Sequence, residues 1–199
     1  MIFEKIFLDG IYSLAGVSFT PDTVVDCGAC AGFFTVLAHG RWPATCYHVF
    51  EPNPANLTRL RSNLALNAIA ATVHAAAVGD QAGTAGFSGD GFGGHLADSN
   101  GPQTIAVTVA DLTLFLRDIH PQRLVLKMDI EGAEATLLPK LPPVLPSATV
   151  VFLETHHPEP IWRQYLQPLL AVGFDHCLTR HRYDKEASTD YVEHLLTRR

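Results

Sequence analysis

The chain has 199 residues, 47% hydrophobic and 17% charged, with a formal net charge of −6. That length buries a sizeable core within the range of one domain, so a single domain over 1–199 is expected. The acidic balance, without a Lys/Arg cluster, argues against nucleic acid as the main partner, and no apolar run is long enough to span a bilayer.

Residues 2 to 15 carry Phe3, Ile6, Phe7, Ile11 and Leu14 at helical spacing, which predicts a helix or helical pair, and residues 1–20 are expected to act as a flap. Met1-Ile2-Phe3-Glu4-Lys5 lacks the pattern of a secretory leader, so a cytoplasmic location is expected. The first strand is predicted over 23–27 and the first helix over 32–40. Between them runs Asp26-Cys27-Gly28-Ala29-Cys30-Ala31-Gly32. A strand, a small-residue turn and a helix start make a cradle for a nucleotide-like ligand. The spacing departs from Gly-x-Gly-x-x-Gly, because Cys30 stands where the middle glycine of a dinucleotide fingerprint belongs. Asp26 would repel a pyrophosphate but suits a cationic ligand with a free amino group, and S-adenosylmethionine is such a ligand. A plain β-turn-α connection is the alternative. Cys27 and Cys30 have redox spacing, but they lie inside the glycine turn and fit better as small pocket-lining side chains. With Cys46 and Cys177 they suggest no disulfide framework.

A second strand over 45–50 ends at Glu51, about 20 to 25 residues after the turn, where a carboxylate can hold a ribose diol. Pro52 follows, Asn53 is placed to cap a helix, and Pro54 to open it, running to about Asn67. A third strand is predicted over Thr72–Val78, whose alanines leave room for a flat ring. Gly79 to Gly101 is glycine-rich and includes Gly91-Phe92-Gly93-Gly94-His95, so a long substrate loop or solvent excursion is expected. Thr104 to Val109 reads as a strand, and Asp111 as the cap of a helix over Leu112–Ile119.

Leu124-Val125-Leu126-Lys127-Met128-Asp129 is a buried strand, and Lys127, Asp129 and Glu131 share one face of it. Ligands of open α/β sheets bind beyond the carboxyl ends of strands. Thr149 to Glu154 brings another carboxylate to that edge, followed by Thr155-His156-His157. His156 is the first candidate for a general base, and a buried Lys127 the second. Asp129 and Glu154 could instead hold a divalent cation such as magnesium. Ligand types without distances make no metal site, so no metal is assigned. A helix over Ile161–Leu170 and two strands, Phe174–Thr179 and Tyr191–Thr197, close the chain as a hairpin around a charged loop, Arg180–Lys185.

The run Asp26–Gly32, then Phe50-Glu51-Pro52-Asn53-Pro54 with Asn63 and Asn67, then Lys127-Met128-Asp129-Ile130-Glu131-Gly132-Ala133-Glu134, resembles the FkbM-type methyltransferases over roughly residues 20 to 157. The last segment is the most specific part. Cys27 and Cys30 depart from the family's more usual Val or Ile and Asn. The resemblance implies a Rossmann-like class I methyltransferase fold, with a seven-stranded, mostly parallel sheet, helices on both faces and a C-terminal antiparallel hairpin. It implies O-methylation of a small hydroxylated acceptor, a sugar or natural product, with S-adenosylmethionine as cofactor and S-adenosylhomocysteine as product. Asp26, Gly28, Ala29, Gly32, Phe33, Glu51, Pro52, Asn53, Ala76, Ala77 and Asp129 would bind the cofactor, with adenine beside the alanines. His156, Lys127, Asp129 and Glu154 would be catalytic. An NAD-dependent oxidoreductase and a non-catalytic cofactor-binding module are the rival readings, and a homodimer stays open.

Overall fold

The computed structural model describes residues 2–89, 94–97, 104–184 and 189–198. The elements follow in chain order as α1 (Ile2–Phe7), β1 (Thr23–Cys27), α2 (Phe33–Arg41), β2 (Cys46–Phe50), α3 (Pro54–Leu66), β3 (Ala71–His74), β4 (Ala77–Gly79), β5 (Gly83–Ser88), β6 (His95–Ala97), β7 (Ile105–Asp111), α4 (Leu112–Ile119), β8 (Arg123–Met128), α5 (Glu134–Leu137), β9 (Ala148–Thr155), α6 (Ile161–Leu170), β10 (Asp175–Asp184) and β11 (Thr189–Arg198). The main sheet has seven strands in the order β10-β11-β9-β8-β1-β2-β3. Strands β9, β8, β1, β2 and β3 are mutually parallel, while β11 and β10 run antiparallel at one edge. The expected α/β architecture with its closing hairpin is the one observed.

Strands buried on both faces alternate between two apolar layers. Val25, Leu124, Leu126, Met128, Val151 and Leu153 pack against Leu112 and Leu116 of α4 and Trp162, Leu166 and Leu169 of α6. Val24, Val125, Val150 and Phe152 point the other way, onto Ile6 of α1 and Phe34 and Ala38 of α2. On the same principle Val49 of β2 meets Leu57, Leu60 and Leu64 of α3. The predicted caps are in place. Asn53 Oδ1 accepts from Ala55 N at 2.9 Å, and Asp111 Oδ1 accepts from Thr113 N and Leu114 N at 2.8 and 3.0 Å.

Four expectations change. The helical N-terminus contracts to α1 and one 3-10 turn at Leu14–Gly16. The single strand over 72–78 divides into β3 of the main sheet and β4 of a second sheet, whose order is β4-β7-β5-β6. The strand at 104–109 therefore belongs to that second sheet, and so does much of the expected glycine-rich loop, as β5 and β6. Small alternating residues, Gly83-Thr84-Ala85-Gly86, hide a strand because they carry little apolar contrast. Gly91, Phe92, Gly93 and Gly101 lie outside the described residues. Arg180 to Asp184, expected as a loop, continue β10 in pairing with β11, and Lys185 lies outside the described residues.

Candidate active site

The turn after β1 works through its backbone. Gly28, Cys30 and Gly32 have φ of 75°, 53° and 79°, three left-handed residues among five. A Cβ on Gly28 would lie 1.8 Å from the Asp129 carbonyl oxygen, so only glycine lets β1 and β8 close at their carboxyl ends. Gly32 caps α2, and a Cβ there would meet Leu60 Cδ1 at 2.5 Å. Cys30 carries a side chain where that conformation costs about 1 kcal/mol or more. The turn is anchored by Gly28 N and Ala29 N, which donate to Phe50 O at 3.1 and 3.0 Å.

Glu51 leaves β2 beside this turn and is 4% exposed. Its Oε2 accepts from Cys30 N at 2.7 Å and its Oε1 from Asn53 N at 2.8 Å. Burial raises its pKa, opposed by those bonds. The Asn56 side chain bonds to Glu51 as well, so of the carboxylate's roughly four acceptor positions one remains. Glu51 lines a cleft of about 600 Å³, together with Gly28, Cys30 and Pro52. Ala77, Val78, Phe87 and Leu96 of the second sheet form the facing wall, and Asp129, Ile130 and Glu131 close the end. A smaller lobe of about 250 Å³ continues from Gly28, Cys30 and Asp129 to Ala29, Phe33, Lys127, Ile6 and Tyr12. Phe33 stacks edge-on with Phe3 and Phe7 at 5.7 and 6.3 Å, which seats α1 over that lobe.

Asp26, expected to face the ligand's amino group, turns inward instead. It is 0% exposed, its Oδ2 accepts from Thr35 Oγ1 at 2.7 Å, and its Oδ1 lies 3.4 Å from Lys127 Nζ. Lys127 Nζ also donates to Gly28 O at 2.6 Å and Cys27 O at 3.2 Å. Burial alone would lower the Lys127 pKa, but the Asp26 and Asp129 carboxylates outweigh it and raise it. Lys127 is therefore a fixed ammonium that staples the turn, and its expected role as a base is corrected. Asn53 is occupied as the cap of α3, and Ala76 is buried in the core rather than in the cleft wall, whereas Ala77 lines it.

At the closed end, His156 Nε2 lies 3.3 Å from Glu131 Oε2 and 3.5 Å from Glu154 Oε1. Burial opposes protonation, but Glu154 and Glu131 reverse this and raise its pKa to about 9. These carboxylates favour the charged ring, which weighs against the expected role of His156 as a base. Its charge draws Glu154 below the usual carboxylate range despite burial. Burial and the neighbouring Glu154 raise Asp129 to about 7, and burial raises Glu131. Donor atoms of Asp129, Glu154 and His156 all lie within 4.8 Å of one another. Glu131 has φ of 56°, a conformation unusual for a residue with a side chain. Glu134 holds it there, its Oε1 and Oε2 accepting from Ile130 N at 3.0 Å and Gly132 N at 2.8 Å. Glu131 was missed as a site residue although it ends the alternation Lys127-x-Asp129-x-Glu131. Cys30, expected as a small pocket-lining side chain, does line the cleft, whereas Phe87 and Leu96 were missed because nothing in their local pattern distinguishes a cleft wall from core.

A mostly parallel sheet in this order, closed by an antiparallel hairpin, is the class I methyltransferase fold. Solved structures share it: methyltransferase FkbM from Methylobacillus flagellatus KT (TM-score 0.59, 16% identity, 98% of this chain and 47% of that one), and the N-terminal domain of EvdMO1 with SAH bound (TM-score 0.55, 15% identity, 96% and 80%). The chain belongs to the methyltransferase FkbM domain family, whose profile matches residues 26–180. It is 39% identical over 83 residues to 31-O-demethyl-FK506 methyltransferase FkbM of Streptomyces tacrolimicus, a stretch that is 41% of this chain and 32% of the relative, so the match spans about a third of that protein.

Proposed function

We propose that this chain is an S-adenosylmethionine-dependent O-methyltransferase acting on a small hydroxylated acceptor. The observation that carries the reading is Glu51, a buried carboxylate fixed by two backbone N–H groups and the Asn56 side chain on the wall of the cleft, with an acceptor position left for a ribose hydroxyl. The cradle fits the donor in other respects. The Gly28 turn brings bare backbone to the cleft, and Ala77, Val78, Phe87 and Leu96 offer an apolar slot for a flat base. The family and a neighbour bound to SAH support the same cofactor.

When bound, the donor supplies a methyl group already activated on a sulfonium. The protein's share is orientation, exclusion of water and one proton. Glu51 would hold the ribose, and Asp129, which lines both lobes with Gly28 and Cys30, stands at their junction. Asp26 and Lys127 keep the turn rigid from beneath. With His156 charged, the acceptor's proton goes to a cleft-facing carboxylate oxygen of Asp129 or Glu131. Calorimetric titration of S-adenosylhomocysteine and of NAD tests the reading: binding of the first and silence from the second support it. Tight NAD binding with no response to S-adenosylhomocysteine would restore the oxidoreductase reading.

A further inference from the structure

We propose that Asp129, Glu154 and His156 form a binding site for a divalent cation at the closed end of the cleft. Strands β8 and β9 are parallel neighbours with Met128 opposite Leu153, so the next step along each brings Asp129 and Glu154 side by side. His156 follows Glu154 by two residues and its ring comes back to it, Nε2 standing 3.5 Å from Oε1. The three donor atoms lie within 4.8 Å of one another. Two ligands of one small cation sit at most ~4.2 Å apart, so closing on an ion takes a shift of less than about 1 Å.

A second observation points to the same place. Glu193 is the direct cross-strand partner of Glu154 in the antiparallel β9–β11 pairing, so the two carboxylates share one face of the sheet. Glu193 is 6% exposed, and its Oε2 has no hydrogen-bond partner among the described residues. A buried carboxylate oxygen without a partner costs free energy that a nearby cation recovers. Asp129, Glu131 and Glu154 thus gather around one histidine, with Glu193 beside Glu154. Lys127 lies closer to Asp26, at 3.4 Å, than to Asp129, at 3.9 Å. Lys5, Arg180 and Arg182 all act on Glu193, and Lys5 on Glu154, although Arg180 pairs with Asp9 and Arg182 lies over the Tyr191 ring.

Two carboxylates and an imidazole suit manganese or zinc better than magnesium. The ion takes the place of the proton on His156 Nε2. The use of the site rests on the methyltransferase reading: an acceptor hydroxyl ligated there is acidified. Its proton passes to Glu131, the other carboxylate at that end of the cleft. The methyl carbon then exchanges its bond to sulfur for one to that oxygen, and the carbon–sulfur electron pair stays on sulfur.

The test is titration of Mn²⁺ into the purified, donor-free chain, followed by electron paramagnetic resonance. One saturable site is expected, weakened at least about tenfold in Asp129→Asn and in Glu154→Gln. It should be unchanged in Asp80→Asn, whose carboxylate pairs with Lys140 on the surface. Electron spin echo modulation on the unmodified protein should show one histidine nitrogen on the metal, and this readout decides if the variants do not fold. No saturable site, a site indifferent to both substitutions, or no nitrogen coupling overturns the proposal. If S-adenosylhomocysteine binds and Mn²⁺ does not, the cation site falls alone. If Mn²⁺ binds and S-adenosylhomocysteine does not, the donor reading falls and the cation site stands.

Discussion

The backbone of Gly28 presses so closely on Asp129 that a Cβ at Gly28 would come within 1.8 Å of the Asp129 carbonyl oxygen. This contact joins the carboxyl ends of β1 and β8 and makes the floor shared by both lobes of the cleft. Gly28→Ala meets two penalties, a clash with unyielding backbone and a φ of 75°. We expect it to destabilise the fold by about 2 kcal/mol or more and to abolish donor binding. Thermal melting and S-adenosylhomocysteine titration on the variant check both.

Lys127→Met leaves Asp26 charged, 0% exposed and without its ammonium at 3.4 Å. Breaking a buried pair costs about 3–5 kcal/mol, whereas replacing both partners can be nearly neutral. Denaturant unfolding should therefore find Lys127→Met much less stable than the protein, and Asp26→Asn combined with Lys127→Met recovering part of the loss. A double variant as unstable as the sum of the two singles would remove the pair as the cause.

The second sheet places Gly94 against Phe87, and a Cβ at Gly94 would lie 2.2 Å from Phe87 Cζ. Phe87 lines the cleft, so Gly94→Ala should push its ring into the space proposed for adenine. Donor affinity should fall about tenfold or more while the melting temperature moves little. An unchanged affinity would show that the ring moves elsewhere or that the base does not sit there.

His194 is buried between Thr155 and His176, with hydrogen-bond distances of 3.0 Å to each. Burial, with a smaller push from His176, lowers its pKa to about 3. Its folded value is below the ordinary 6.5, so its contribution is whole above about pH 6.5 and lost as pH falls towards 3. The slope is at most about 1.4 kcal/mol per pH unit. Unfolding free energies between pH 4 and 7 should fall less steeply for His194→Gln than for the protein itself; parallel curves would refute the assignment.

Residues whose role is set by neighbours in sequence were legible. Asn53 before Pro54 and Asp111 before Leu112 cap helices because a cap needs only the next three amides. The turn from Gly28 to Gly32 and the clamped Glu51 follow the same logic, since chain direction and strand pairing fix where they meet. What depends on contacts across the sheet was not legible. The sequence places Asp26 at the mouth of the turn, yet Lys127, 101 positions on, decides that its carboxylate turns inward. His156 looks like a base by residue type, but Glu154 and Glu131 favour its charged form. The wall formed by Phe87 and Leu96 escaped because β5 and β6 lack the alternation that marks a half-buried strand.

The most direct test titrates S-adenosylhomocysteine into the protein and into Glu51→Ala under one set of conditions. The account predicts one site per chain in the protein and at least a tenfold loss in the variant, with both folded by circular dichroism. Equal affinity in the two would mean that the carboxylate between Cys30 and Asn53 does not hold the ribose, and the proposed donor site would be contradicted.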